Sequence, residues 1–201
     1  AGSGVAHAVD FTSDPYDGEH KIWAVDTEHF TIEYSPLIEN LTDTDGDGIS
    51  DRVENIAEYA EESWDRQIDD LAMPSPLDDQ DMIYLILDDR NRYLVPNSLG
   101  VTSTFSDGEI YIAVDPGLSA GLMQVTVAHE FMHAIQFGYQ GYFIGYEQDI
   151  NFAESMATWV EDYVYDDVND YYGYLDYFFE DPDYSVFTGV IPDGSLFEYG
   201  L

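Results

Sequence analysis

The feature that most restricts the fold of this chain is an apolar segment, residues 122–137, that contains the pattern His129-Glu-Phe-Met-His133. Its apolar residues recur every three to four positions and Gly138 follows, so the segment is predicted to form a buried helix. One helical turn separates the two histidines, about 5–6 Å between Cβ atoms, and both imidazoles can bind one metal ion. Glu130 can then act as general base toward a water molecule that the metal activates.

A structural role for both histidines is the alternative interpretation of this helix. The expected buried positions are Leu122, Val125, Ala128, Met132 and Ile135. Buried imidazoles need partners, and a single metal ion satisfies two of them at once. The sequence therefore favours a metal site.

A third metal ligand is expected because a catalytic zinc has three protein ligands and one open position. No histidine follows His133, and position 139, where some zinc peptidases carry a third histidine, is tyrosine. A second helix is predicted further along the chain from the apolar spacing of Phe152, Met156, Trp159, Val160 and Tyr163. Glu154 lies near the start of this helix and is the predicted third ligand. The alternative is a solvated carboxylate in an acidic chain.

These two helices resemble those of the gluzincin-type zinc metalloproteases. The resemblance is carried by AHEFMHAIQF, residues 128–137, and NFAESMATWVED, residues 151–162, and it covers roughly residues 28–164. It is similar to secreted metallopeptidases of bacteria and archaea. It implies a zincin-like domain in which the three predicted ligands hold zinc and Glu130 is the general base.

Two departures from the gluzincin pattern leave parts of the site open. The thermolysin pattern reads N-E-x-x-S-D, whereas here Asn151 precedes Glu154 by three residues and Thr158 stands where the aspartate would be. The carboxylate that orients a ligand histidine is therefore unassigned, with Glu161 and Asp162 as candidates. The tyrosine or histidine that helps to hold the oxyanion is also unassigned among 17 tyrosines.

The composition restricts the environment and the partners of the chain. Asp and Glu outnumber Lys and Arg by 42 to 5, which gives a net charge of −37. A hydrophobic content of 45% is sufficient for a core, so the charge is expected on a folded surface and not in a disordered chain. That surface repels itself in dilute buffer and is screened at molar salt, where the Debye length is about 3 Å. The composition therefore predicts a protein of a salt-loving microbe.

Several classes of partner and location are disfavoured by the same composition. Nucleic acid is excluded as a partner because there is no basic patch to contact phosphates. No apolar run of membrane-spanning length occurs, so no membrane span is predicted. Cysteine is absent and disulfides contribute nothing. Residues 1–4 do not resemble a signal peptide and are interpreted as a mature or trimmed start.

Residues 43–54 match the twelve-residue EF-hand calcium loop, with Gly48 at the sharp turn. The predicted calcium ligands are Asp43, Asp45, Asp47, Ile49 through its carbonyl, Asp51 and Glu54. Only one loop is present and a strand precedes it, so a structural site is favoured over a calcium sensor. Such a site suggests a secreted, extracellular protein. The alternative is an acidic turn in an acidic chain.

The order of the predicted elements indicates an α+β fold, with a mixed sheet packed on the metal-binding helix. Strands are expected at Phe30–Tyr34, Asp81–Leu87, Val101–Phe105 and Glu109–Val114, and a long helix is expected from about Asp51 to Ala72. A single zincin-like catalytic domain, residues 1–201, is predicted, with residues 165–201 as a possible start of a smaller C-terminal subdomain. By the resemblance, Ile110, Ile112 and Val114 would lie on the edge strand along which an extended peptide binds. A covered sheet edge is the alternative.

The function predicted from these observations is a zinc-dependent endopeptidase that acts on peptide or protein substrates at high salt. One alternative is a calcium-stabilised, noncatalytic surface or scaffold module with a zincin fold. Another is a different zinc hydrolase, such as an aminopeptidase.

Overall fold

The computed structural model describes residues 16–17, 22–36, 38, 42–77, 80–88, 93–94, 98–138, 147–173, 175 and 179. The strands are β1 (Tyr16–Asp17), β2 (Trp23–Asp26), β3 (Phe30–Tyr34), β4 (Ile83–Leu87), β5 (Gly100–Thr104) and β6 (Ile110–Val114). The helices are α1 (Asp51–Trp64), α2 (Ala120–Gly138) and α3 (Glu147–Val164). A π-helical turn, Asp65–Asp70, continues α1. The predicted helices and strands therefore form, with boundaries shifted by a few residues.

The strands form one mixed sheet in the order β1-β2-β3-β4-β6-β5. Strands β3, β4 and β6 run parallel to their neighbours in this set, whereas β1, β2 and β5 pair antiparallel. The apolar run of β4 is buried on both faces, as predicted: Leu85 lies in the main core and Ile86 in a second cluster on the opposite face. The α+β class and the mixed sheet are confirmed.

The predicted position of Ile110–Val114 at the edge of the sheet is wrong. Strand β6 pairs with β4 on one side and with β5 on the other, so that Ile112 is opposite both Leu85 and Thr102. Its hydrogen-bonding groups are used within the sheet, and the side chains of Ile110, Ile112 and Val114 are buried in the main core. A strand paired on both sides cannot accept a further strand. Among the described strands, the edge of the sheet beside the helices is β5.

The two strands predicted at Val101–Phe105 and Glu109–Val114 form an antiparallel hairpin, and only their order in the sheet differs from the prediction. The Ser106-Asp107-Gly108 turn joins β5 to β6, with Gly108 at φ +99° and its N–H donating to the carbonyl of Phe105. Strand β6, Ile-Tyr-Ile-Ala-Val, is a nearly continuous apolar run like β4, whereas β5, Gly-Val-Thr-Ser-Thr, is mostly polar. This contrast favours β6 as the inner strand, and the predicted edge position came from the resemblance alone.

Helix α2 packs between the sheet and α3 and is buried along most of its length. Helix α3 was predicted to bury its large apolar residues, but Phe152 and Trp159 are exposed by 58% and 49%. The residues that face α2 are smaller: Ala153, Ala157, Val160 and Val164. Small side chains at the contact allow the two helix axes to approach closely. This close approach brings the carboxylates of α3 to the histidines of α2.

Of the aromatic residues that follow α3, Tyr165 packs in the core, whereas Tyr172 and Phe179 are exposed by 59% and 66%. Tyr165 is buried, its ring meets that of Tyr59 edge to face at 6.1 Å, and its hydroxyl donates to the carbonyl of Tyr59. Most of residues 165–201, the predicted C-terminal subdomain, lies outside the described residues.

A histidine outside α2 joins β3 to α1. The ring of His29 stacks on Trp64, with 3.9 Å between centroids, and its Nδ1 lies 2.7 Å from Glu61 Oε2. Burial lowers the pKa of His29, but the hydrogen bond and the charge of Glu61 outweigh it, and the pKa is raised overall. Burial raises the pKa of Glu61, but hydrogen bonds from His29 and Thr27 lower it overall. The two charged forms therefore stabilise each other in the folded chain.

Replacing Glu61 by glutamine is expected to reduce the free energy of unfolding more at about pH 6 than at about pH 8.5. The raised pKa of His29 means that its contribution is complete below the unfolded value of 6.5 and is lost as pH rises through the folded value. The lowered pKa of Glu61 means that its contribution is complete above 4.5 and is lost in acid. The loss at pH 6 is expected to be about 1–2 kcal/mol, measured by denaturant unfolding.

The control for this experiment is Glu28→Gln. Glu28 Oε1 lies 3.9 Å from His29 Nε2, but the Glu28 side chain is 83% exposed and its interaction is screened by solvent. An equal loss of the free energy of unfolding in Glu61→Gln at both pH values would contradict the mutual stabilisation of the charged forms of His29 and Glu61.

Candidate metal centre

Three predicted ligand atoms converge where α2 meets α3. His129 Nε2 and His133 Nε2 are 3.1 Å apart, and Glu154 Oε2 lies 3.1 Å from His129 Nε2. Glu154 Oε1 lies 3.4 Å from His133 Nε2. Zinc bonds of 2.0–2.1 Å at tetrahedral angles place ligand atoms about 3.3 Å apart. The distances of 3.1–3.4 Å, which involve both oxygens of Glu154, are close to this value, and one ligand atom from each residue lies within 4.8 Å of the other two.

The outer nitrogen of His129 is held by a second residue of α3. Its Nδ1 lies 2.6 Å from Glu161 Oε1. A carboxylate only accepts, so Nδ1 carries a proton and Nε2 is the nitrogen that faces the cluster, where a metal ion would replace its proton. Burial raises the pKa of Glu161, and its hydrogen bond with His129 offsets part of that rise. Of the two candidates for this orienting role, Glu161 is therefore the one in contact with His129.

The tautomer of His133 is fixed by Gln136, a residue whose role the sequence did not predict. The Gln136 amide donates through Nε2 to the carbonyl of Ala153 at 3.1 Å, which turns its Oε1 toward His133 Nδ1 at 2.8 Å. An amide oxygen only accepts, so His133 Nδ1 carries the proton and Nε2 presents a lone pair. The available signal was the i, i+3 spacing of His133 and Gln136 on one helix face.

Two imidazole nitrogens and a carboxylate thus face one another, and the cluster favours a positive charge. Burial lowers the pKa of His129, but the hydrogen bonds that its ring donates to Glu154 and Glu161 raise it to about 10. Burial raises the pKa of Glu154, but hydrogen bonds with His129 and His133 lower it to about 2. A divalent metal ion can supply the same positive charge as a proton at this place, with directed bonds to all three atoms. The donor set therefore fits a metal ion.

The predicted base, Glu130, is buried on α2 and lies outside the three-ligand group. The hydroxyl of Thr102 on β5 lies 2.7 Å from Glu130 Oε2 and 2.8 Å from the Glu130 carbonyl oxygen. On the far side of α2, Gln67 of the π-helical turn donates to the carbonyl of Ala128 at 3.0 Å. Hydrogen bonds from Gln67 and Thr102 therefore hold α2 at Ala128 and at Glu130, on either side of His129 in the sequence. The sequence did not predict Thr102 or Gln67, because both contacts join segments distant along the chain.

The predicted calcium loop forms a turn that gathers three of its aspartates. Carboxylate oxygens of Asp43, Asp45 and Asp47 lie within 4.8 Å of one another. Gly48, predicted at the sharp turn, has φ +98°, and its N–H donates to Asp43 Oδ2 at 3.0 Å. Burial, followed by the charges of the loop aspartates, raises the pKa of Glu54. The loop is therefore strongly negative, and this charge is common to calcium sites and to acidic turns that bind no ion.

Another predicted calcium ligand, Asp51, has different partners in the structure, whereas the contact of Ile49 involves its N–H and not the carbonyl predicted as ligand. Asp51 accepts from the Thr44 N–H at 2.7 Å and from the Thr44 hydroxyl at 2.6 Å. The Ile49 N–H donates to Asp47 Oδ1 at 2.8 Å. The structure does not bring Asp51 into the group of three aspartates.

No helix within the described ranges combines the length and apolarity needed to cross a membrane. Comparison of the chain with protein-family models, curated proteins and solved structures finds no match.

Proposed function

We propose that this chain is a zinc-dependent endopeptidase with a zincin-like fold of the gluzincin type. The single observation that supports this most strongly is the convergence of His129 Nε2, His133 Nε2 and a Glu154 carboxylate at 3.1–3.4 Å. Two imidazoles and one carboxylate suit zinc, and three protein ligands leave the open position that catalytic zinc sites have. The tautomers set by Glu161 and Gln136 support the same assignment.

The reaction divides between the metal and the residues of the chain. Zinc in such a site supplies Lewis-acid chemistry, which acidifies water and polarises a carbonyl oxygen. Glu130 accepts the proton of the attacking water at its carboxylate and returns a proton to the leaving amine nitrogen. Glu161 and Gln136 keep the two imidazoles in their orientation throughout.

The substrate strand is proposed to bind along β5, not along β6. Strand β5 is paired only with β6 among the described strands, and its residue Thr102 contacts Glu130 directly. An extended peptide can add to such an edge through main-chain hydrogen bonds. This places a peptide beside the base without displacing a strand of the sheet.

A structural calcium ion is proposed in the 43–54 loop. The clustered aspartates and the raised pKa of Glu54 support a site that a cation would stabilise. The ninth position of such loops often binds through water, which is compatible with the contacts of Asp51 with Thr44. A calcium site of this kind supports an extracellular location, where calcium is abundant.

Adaptation to high salt is proposed from where the charge lies. In the described part of the chain, the buried carboxylates are Asp88, Glu130 and Glu161. The large excess of acidic residues is therefore carried mainly by the surface, where salt screens it. Activity that is highest without added salt would contradict this adaptation.

The test is digestion of casein and of a peptide library at molar NaCl, with zinc content measured on the same preparation. Zinc near one per chain is expected, together with internal peptide cleavage that a chelator abolishes and zinc restores. Zinc binding without any cleavage would overturn the enzyme assignment and favour the noncatalytic scaffold. Release of single N-terminal residues alone would favour an aminopeptidase.

A further inference from the structure

Strand β5 holds the carboxylate of Glu130 from outside the metal-binding helices. The Thr102 hydroxyl has one proton and two acceptors in reach, Glu130 Oε2 at 2.7 Å and the Glu130 carbonyl oxygen at 2.8 Å. A hydrogen bond to a charged carboxylate is the stronger of the two. The hydroxyl therefore contacts both the side-chain carboxylate and the main-chain carbonyl of Glu130, and it fixes the side chain relative to the backbone of the same residue.

Gly100, two residues before Thr102 on the same face of β5, provides the space that the carboxylate occupies. A Cβ atom at position 100 would lie 2.7 Å from Glu130 Cγ, 2.8 Å from Glu130 Oε1 and 2.8 Å from Thr126 Cγ2. The backbone of Gly100 is not in the left-handed region, so alanine would meet no backbone strain there. Glycine at this position is required by the close approach of Glu130.

We propose that Thr102 is a positioning residue for the general base, with Gly100 leaving room for the chosen orientation. This inference rests on the proposed function. Thr102 occupies Oε2 and leaves Oε1 as the oxygen that takes the proton. The same strand is the proposed edge for the substrate peptide. One hydrogen bond therefore sets the register between the base and the bond to be cleaved, which affects the chemical step more than binding.

The first test is the pair Thr102→Val and Thr102→Ser in the zinc-loaded chain at molar NaCl. Valine keeps the shape and removes the donor, so kcat is expected to fall at least about tenfold while KM changes less than about twofold. Serine keeps the donor and is expected to restore kcat to within about threefold of the unmodified chain. Gly100→Ala is expected to lower kcat as Thr102→Val does, because it displaces the same carboxylate.

The matched control is Thr31→Val on β3. Thr31 also donates to a carboxylate, Asp26 Oδ1 at 2.8 Å, but in a different part of the sheet. It is expected to leave kcat unchanged. An equal loss of kcat in Thr31→Val and Thr102→Val would indicate a general structural effect and would overturn the positioning role.

A second measurement does not depend on activity. Thermal unfolding midpoints are compared for Thr102→Val in the unmodified and Glu130→Ala backgrounds, in chelator. The shift caused by Thr102→Val is expected to be less than half as large when the carboxylate is absent. Equal shifts in both backgrounds would overturn the contact.

The two possible failures are distinguishable. Full activity of Glu130→Gln would overturn the proposed function itself. Loss of activity in Glu130→Gln together with normal kcat in Thr102→Val would overturn only the positioning role.

Discussion

Replacing Glu130 by glutamine is expected to lower kcat for peptide hydrolysis by a factor of about 10³, while zinc remains near one per chain. Glutamine has the same shape, and its amide oxygen can still accept from Thr102, which lies 2.7 Å from Glu130 Oε2. It cannot take up and return a proton in the working pH range. Because Glu130 is outside the three-residue group proposed to bind zinc, zinc binding is expected to survive this change.

The measurement is cleavage of a fluorogenic peptide at molar NaCl, with zinc determined on the same sample. The matched control is Glu62→Gln, the same exchange at an exposed position of α1, which is expected to have full activity. Retained activity in Glu130→Gln would exclude its role as base. Loss of zinc in this variant would show that Glu130 holds the site together and has no separate catalytic part.

Replacing Glu154 by glutamine is expected to weaken zinc binding by about 10²–10³-fold. Structural zinc sites with four protein ligands bind with about 10–16 kcal/mol, so one ligand contributes roughly 3–4 kcal/mol. Glu154 contacts both imidazoles, at 3.1 Å from His129 and 3.4 Å from His133, so no other described carboxylate takes its place in the group. Hydrolysis is expected to fall with zinc occupancy and to recover in part at high zinc concentration.

Zinc affinity is measured by competition with a chromogenic chelator, again with Glu62→Gln as control. Unchanged affinity in Glu154→Gln would mean that this residue is a solvated carboxylate beside two histidines. The position of the third ligand would then be open, and the gluzincin type would lose its main support.

The parts of the site that could be predicted from the sequence are those set by local helical geometry. His129 and His133 are one turn apart on α2, and this spacing fixes their common face before any tertiary contact is known. Glu154 was found because its helix has a recognisable apolar period and follows closely along the chain. The second partner of His129 could be narrowed to Glu161 or Asp162, and the helix rotation seen in the structure selects Glu161.

The parts that could not be predicted depend on how distant segments meet. The order of β5 and β6 was missed because the resemblance was followed, although the apolar run of β6 indicates an inner strand and β5 is mostly polar. The contacts of Thr102 and Gly100 with Glu130 follow from that order, so they were missed with it. The buried face of α3 was also misjudged, because large apolar residues were assumed to face inward. There the close approach of α2 favours alanine.

The small-residue face of α3 has a consequence for how the centre is assembled. Ala153 and Ala157 allow α3 to lie against α2, and the same rigid helix carries Glu154 and Glu161, which contact the two different ring nitrogens of His129. The proposed ligand Glu154 and the orienting carboxylate Glu161 therefore reach His129 together when α3 packs against α2. An ion that binds only the docked arrangement would stabilise this helix–helix interface by mass action. The stability of the α2–α3 interface would therefore increase with the concentration of the free ion.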